Sequence, residues 1–267
     1  MPIESEAPGE PELVSSMHGD VQVLRLNRPQ RRNALSKILS NSICEAALAA
    51  DEDPCVRAII LTGTGTAAFC AGADLKDIRS SDDQGRRFRT PMSRVERSIF
   101  EVILELKKPT IAALNGSAVA GGFELALACD LRVGHDKAMF GLPEAKIGMG
   151  ANFGSVVLPR RIAPAIALEL LLTGEYIDAA EALRIGLLNR LVPPERVFDT
   201  ALALATAIAS NAPISVRRLK AMALHALDLP VATALRMNPG LSPYLSEDRV
   251  EGIRARLEKR KPVWKSK

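Results

Sequence analysis

Aromatic residues are scarce in this chain: 7 Phe, 2 Tyr and 1 Trp among 267 residues. No stretch interleaves them with basic residues, which argues against a nucleic-acid surface. The formal net charge of +4 suits a solvated surface as well as it suits a polyanionic ligand. The three histidines, His18, His135 and His225, are scattered, so no Ser-His-Asp triad is expected. The four cysteines, Cys44, Cys55, Cys70 and Cys129, form no C-x-x-C pair. They read as free core thiols of a reducing compartment, not as disulfides or a zinc site. Cys70 has no patterned histidine to activate it, so a nucleophilic role is set aside. No apolar run approaches the ~18 residues needed to span a bilayer. The first twelve residues, MPIESEAPGEPE, are acidic and proline-rich, without the basic start and apolar stretch of a signal peptide. The expectation is a soluble, cytoplasmic protein with a frayed tail over residues 1–12, and with no nucleic acid, membrane or metal as partner.

An apolar share of 47% and a charged share of 25% are ordinary for a globular chain. The length suits one large domain or one and a half. Leu13–Met17 and Val21–Leu26 read as a β-hairpin around a His-Gly-Asp turn. Ser36 is a natural N-cap for a helix reaching Asp51, with Leu39, Ile43, Ala46 and Ala50 on one face. Val56–Leu61 is an apolar, β-branched run and reads as a buried strand. Asp77 to Thr90 is polar and charged, and reads as a mobile segment that borders a pocket. Val95, Ile99, Val102 and Leu106 have helical spacing up to Pro109, and Thr110–Leu114 reads as a strand. Beyond Glu144 the chain reads as mostly helical. A helix from Tyr176 stops at Gly186 and is followed by a buried strand, Leu187–Val192. Further helices cover Phe198–Ser210, Ile214–Leu227 and Glu247–Lys259.

Gly63, Gly65 and Ala68 match G-x-G-x-x-A after a strand, the dinucleotide-binding pattern. That motif needs a helix and then a second strand ending in an acidic residue. Asp82 and Asp83 stand at a suitable distance, but no strand leads to them, so the match is rejected.

The stretch that organises the chain is Asn115 to Glu144. Gly121 and Gly122 read as the start of an apolar helix carrying Glu124 in its first turn. The first N–H groups of a helix lack internal partners, and the helix dipole favours negative charge there. Gly121 therefore offers a donor to an oxygen that becomes negative during a reaction. A first-turn glutamate is also ordinary helix stabilisation, worth ~0.3–1 kcal/mol. The loop Ala71–Gly72–Ala73–Asp74 supplies a second place where a main-chain N–H faces a ligand. Two such donors on one oxygen make an oxyanion hole, which serves when a carbonyl becomes an enolate or tetrahedral species.

Through AFCAGADLKD and NGSAVAGGFELALACDLRV the chain resembles the enoyl-CoA hydratase/isomerase (crotonase) superfamily. LNRPQRRNALS, FGLPEAKIGMG and LLTGEYIDAAEALRIGLLNRLVP agree with it in order and approximate spacing. The resemblance covers roughly residues 13–260. It implies an α/β fold: a crotonase-like ββα spiral core over residues 13–195 and a C-terminal helical trimerisation region over 196–267. It places oxyanion donors on the backbones of Ala73 and Gly121, and catalytic carboxylates on Glu124 and Glu144. It places substrate and coenzyme A contacts on Ala71, Ala73, Asp74, Leu75, Lys76 and Gly121. The implied partner is an acyl-CoA thioester, with no cofactor beyond the coenzyme A of the substrate, and the implied assembly is a homotrimer or a dimer of trimers. Part of the basic run Arg249, Arg254, Arg256, Lys259, Arg260 and Lys261 is expected to face coenzyme A phosphates, with most of it solvated. The sequence departs from the pattern at Asn152, Phe153 and Phe123, which are bulkier than expected. Asn152 tolerates left-handed backbone geometry, and the two phenylalanines are expected to narrow the acyl pocket. The implied activity is hydration of a 2-enoyl-CoA to 3-hydroxyacyl-CoA. Double-bond isomerisation and non-catalytic acyl-CoA binding are the alternatives.

Overall fold

The computed structural model describes residues 10–84 and 97–267. The chain winds back and forth between two sheets. Strands β1 (Leu13–His18), β2 (Val21–Leu26), β3 (Ala58–Gly63), β5 (Thr110–Ala113), β7 (Leu131–His135) and β10 (Arg190–Val192) form a six-stranded sheet in that order. Only the β1–β2 hairpin is antiparallel within it. Strands β4 (Ala68–Cys70), β6 (Ser117–Val119), β8 (Met139–Gly141) and β9 (Tyr176–Asp178) form a smaller sheet, with β4, β6 and β8 parallel. Each turn thus lays one strand in each sheet before a helix returns the chain, as the expected ββα spiral requires. The register of β4 on β6 shifts between Ala68 and Cys70, so β4 carries one extra residue, Phe69, in a bulge.

The helices form where local chemistry starts them and an apolar face retains them. Helix α1 (Lys37–Glu52) begins at Ser36, whose hydroxyl accepts the Leu39 N–H at 2.9 Å, and buries Leu39, Ile43, Ala47 and Ala50. Ala47 takes the central place expected of Ala46, which is half-buried. Helix α2 spans Leu75–Asp83, so the segment expected to be mobile is helical at its start, and its remainder from residue 85 lies outside the described residues. Helix α3 (Ile99–Glu105) opens with a Ser98–Glu101 capping box; Val95 lies outside the described residues. Helix α4 spans Gly121–Ala128, α5 Asn152–Arg161, α6 Pro164–Thr173 and α7 Ala179–Arg184. The main core lies between the sheets and helices α1, α3 and α4.

Several expectations change. The segment after Tyr176 opens as strand β9 paired with β8, and its helix is short. The strand after Gly186 is only three residues long, an edge strand exposed or half-buried along its length. The dinucleotide reading fails structurally, because β3 is followed by β4 and not by a helix. All four cysteines are free, but Cys55 is exposed and Cys44 half-buried; only Cys70 and Cys129 lie in the core. Helix α8 (Val197–Ala209) packs Val197, Ala201, Ala205 and Ala209 on the second face of the six-stranded sheet, against Ile60, Ile111 and Val133. The chain continues through α9 (Pro213–His225), α10 (Val231–Ala234) and α11 (Glu247–Leu257).

Candidate active site

Three parallel strands of the small sheet end on the same side. Two or three residues beyond each end stands one of the groups the sequence singles out: Ala73 after β4, Gly121 after β6 and Glu144 after β8. Loops at the carboxyl ends of neighbouring parallel strands make a natural ligand crevice.

The Ala73 amide is oriented by its bridge to Leu35. Leu35 donates to the Gly72 carbonyl at 2.8 Å, and the Asp74 N–H donates to the Leu35 carbonyl at 3.3 Å. In a parallel bridge of that kind the middle residue, Ala73, turns its own N–H away from Leu35. Gly121 is the first residue of α4, so its N–H has no intrahelical acceptor. The two donors are neighbours: a Cβ on Gly72 would stand 2.9 Å from the Gly121 nitrogen, and one on Gly121 would stand 3.7 Å from the Ala73 nitrogen. Neither amide has an acceptor among the described residues.

Two backbone features hold this arrangement. Gly72 has φ +85°, and a Cβ there would also meet Ala120 Cβ at 2.9 Å. Ala120 takes φ 52° and ψ −132°, rare for a residue with a side chain, while its N–H is held by the Gly141 carbonyl at 2.9 Å. The chain passes there from strand to helix in one residue, at a cost of about 1–3 kcal/mol. Strain of that size persists where the surroundings over-determine the geometry, and here they aim the Gly121 amide.

Glu124, one turn into α4, and Glu144, in the 3-10 turn Pro143–Ile147, are each only 6% exposed. Glu124 Oε1 accepts the Gly154 N–H from the first turn of α5 at 2.8 Å. Burial pushes the Glu124 carboxyl up to about 7; the Gly154 amide opposes that rise, the neighbouring Glu144 charge adds to it, and the Phe153 amide opposes it weakly. Burial also raises Glu144, against a pull from its own backbone N–H. Glu144 Oε2 is buried with no hydrogen-bond partner among the described residues. Buried side-chain oxygens without a partner are uncommon in folded proteins. The charge of Glu144, 20 residues on in the chain, thus reaches Glu124 and adds to the rise of its carboxyl.

The remaining expected contacts divide. The Ala71 amide is spent on the Arg32 carbonyl at 3.1 Å. The Asp74 carboxylate, 7% exposed, pairs with Arg28 at 3.2 Å. Leu75 is exposed beside the crevice, and the Lys76 side chain lies outside the described residues. Arg254 and Arg260, from the basic run, pair with Glu251 of α11. Asn152 begins α5 in right-handed helical geometry and makes no use of the left-handed geometry it tolerates. Phe123 is turned into the core against Phe140, with ring centroids 5.8 Å apart, so it does not narrow the crevice. Burial drives the Cys70 thiol up to about 12, which leaves it inert as a nucleophile.

Sequence reasoning missed three polar residues that fix the loops. Asn33, fully buried, donates to the carbonyls of Thr64 and Ala68 and accepts the Arg28 N–H. Asn115 accepts the Gly63 N–H at 2.8 Å and donates to the Gly65 carbonyl at 2.7 Å. Arg28 joins Asp74 to Glu12 and donates to the Ala34 carbonyl. The available signal was the presence of Arg28 and Asn33 in LNRPQRRNALS, and of Asn115 beside Gly116.

A family model described as enoyl-CoA hydratase/isomerase matches residues 16–267. The crotonyl-CoA hydratase of Syntrophomonas wolfei is 38% identical over 250 residues, covering 92% of this chain and 94% of that protein. The carnitinyl-CoA dehydratase of Proteus mirabilis is 39% identical over 256 residues, covering 93% of this chain and 96% of that protein. The crystal structure of enoyl-CoA hydratase from Mycobacterium tuberculosis H37Rv superposes with a TM-score of 0.87 at 35% identity, covering 97% of this chain and 100% of that one.

Proposed function

The chain belongs to the enoyl-CoA hydratase/isomerase family, and from that premise we propose that it adds water across the 2,3 double bond of a 2-enoyl-CoA to give a 3-hydroxyacyl-CoA. The observation that carries the reading is the neighbouring Ala73 and Gly121 amides at the start of the helix that holds Glu124, a buried carboxyl that feels the charge of the buried Glu144.

The β-carbon of an enoyl thioester is a poor electrophile until negative charge can gather on the thioester oxygen. The Ala73 and Gly121 amides stabilise that enolate, and losing one oxyanion donor costs ~2.7–4 kcal/mol in other enzymes. Water gives its oxygen to the β-carbon and one proton to a carboxylate, and the α-carbon takes a proton from the other carboxyl. A pair in which one group is ionised and one protonated does both, and proton transfer of this kind contributes ~10²–10⁴-fold. The relatives' names span hydration and dehydration of different acyl groups at nearly the same identity, which favours reading the acyl group from the pocket.

The test is a spectrophotometric assay with crotonyl-CoA. Glu124→Gln and Glu144→Gln should each lower kcat by ~10²–10⁴-fold while far-UV circular dichroism stays that of the parent. Unchanged hydration in both folded variants would remove the reading. If only one glutamate proved essential and a 3-enoyl-CoA were the better substrate, double-bond isomerisation would replace hydration.

We also propose a homotrimer or dimer of trimers. The support is the apolar surface carried by the last helices, where Leu235, Leu241, Tyr244, Leu245 and Leu257 are all strongly exposed.

A further inference from the structure

We infer that the stacked rings of Phe100 and Phe153 limit this enzyme to short acyl groups, by separating the catalytic crevice from a large cavity one helical turn behind it. The inference rests on the acyl-CoA reading above and deepens it. Phe100 reaches the crevice from α3: its ring tip, Cζ, lies 3.5 Å from where a Cβ on Gly121 would stand. Phe153 comes from the first turn of α5, beside Gly154, whose amide holds the Glu124 carboxylate. The rings meet at a centroid distance of 5.4 Å, tilted by 36°, and are only 8% and 9% exposed. One end of the partition therefore stands at an oxyanion donor and the other at a carboxyl, where an acyl chain would continue past its β-carbon.

Behind the rings the same two helices line a further space. Leu104 lies four residues after Phe100, and Val157 four residues after Phe153, so each shares a helix face with its aromatic neighbour. Leu104, Val156 and Val157, with Ile214 and Leu224 of α9, form the apolar side of a cavity of about 740 Å³, and charged residues, among them Arg160, Arg161 and Arg217, line the rest of it. A short acyl group ends at the rings. A long one must displace both, and would then find that apolar side to receive it.

The experiment compares hydration of crotonyl-CoA and 2-decenoyl-CoA by the parent, Phe100→Ala and Phe153→Ala. In parallel, equilibrium binding of the unreactive butyryl-CoA and decanoyl-CoA is measured. The parent should favour the short ester in kcat/KM by at least about tenfold, as expected when a pocket rejects extra methylenes. Each alanine variant should reduce that preference by about tenfold or more, with decanoyl-CoA binding rising in step. A parent that handles both lengths equally overturns the inference, whether or not the variants fold. So does an unchanged length preference in the folded variants, with Phe153→Leu as the milder substitution if alanine unfolds them. Loss of turnover on every ester, with the binding preference shifting as stated, would instead overturn the hydratase reading and leave the partition standing.

Discussion

Glu124 is held between burial, which favours its neutral form, and the Gly154 amide, which favours its ionised form. Burial prevails, so its carboxyl keeps a proton up to about 7, against 4.5 for the ordinary group. That difference is also a statement about stability. The unfolded chain gives up this proton before the folded one does, so the benefit of burying a neutral carboxyl is intact below pH 4.5 and is lost as pH rises through 7. Glu124→Gln cannot ionise. Its stability relative to the parent should therefore rise between those limits, by roughly 3 kcal/mol. Urea denaturation of both proteins below pH 4.5 and well above pH 7 reads the change directly. A constant difference across that range would mean that Glu124 titrates as an ordinary carboxyl. The charge on Glu144 contributes to the rise, so Glu144→Gln should move the titration of Glu124 downward.

Among the elements, α4 is the one whose position matters most. It lies against β4 so closely that a Cβ on Gly122 would stand 2.0 Å from the Cys70 carbonyl oxygen. Backbone cannot yield as a flexible side-chain tip does, so Gly122→Ala must push α4 outward. Overpacking of this kind costs about 1–3 kcal/mol, and the shift carries the Gly121 amide away from Ala73. The expected outcome is a lower urea midpoint together with a fall in kcat, because one displacement affects both packing and the donor pair. The sequence made α4 legible through Gly121, Gly122 and the apolar run behind them. It made α1 legible through Ser36 and a 3.6-residue period, and the hairpin through two runs flanking His18–Asp20. The strands of the small sheet were not legible, since three residues are too few for an alternation to register. The 3-10 turn that buries Glu144 has no period either, so its convergence with Glu124 followed from family resemblance and not from spacing.

At the scale of the molecule, the last third of the chain does two jobs. Helix α8 belongs to the packing of the six-stranded sheet, while the helices beyond it leave much apolar surface uncovered. The C-terminal residues tie these parts together: the Trp264 indole donates to the Ser210 carbonyl at 2.7 Å, and the buried Asp248 accepts the amides of Lys265 and Ser266. Leu245 is 90% exposed, so replacing it costs the single chain little packing. Leu245→Asp should therefore keep the monomer's fold and shift sedimentation velocity toward smaller species. An unchanged assembly would place the subunit contact elsewhere. The sequence's alanine- and leucine-rich helices were visible as helices, but which of them face the sheet depends on contacts far apart in the chain.

The extra residue in β4 has a consequence that reaches the chemistry. Along an extended strand, N–H and C=O groups point alternately to either side, so an inserted residue reverses which of them faces a given neighbour. Phe69 supplies one such reversal just upstream of Ala73. Shortening β4 by that one position would put the loop out of step with the Leu35 bridge, so that Ala73 would no longer be the residue whose N–H is turned away from it. Which amide the loop offers is thus counted out in whole residues, by a kink shortly before it.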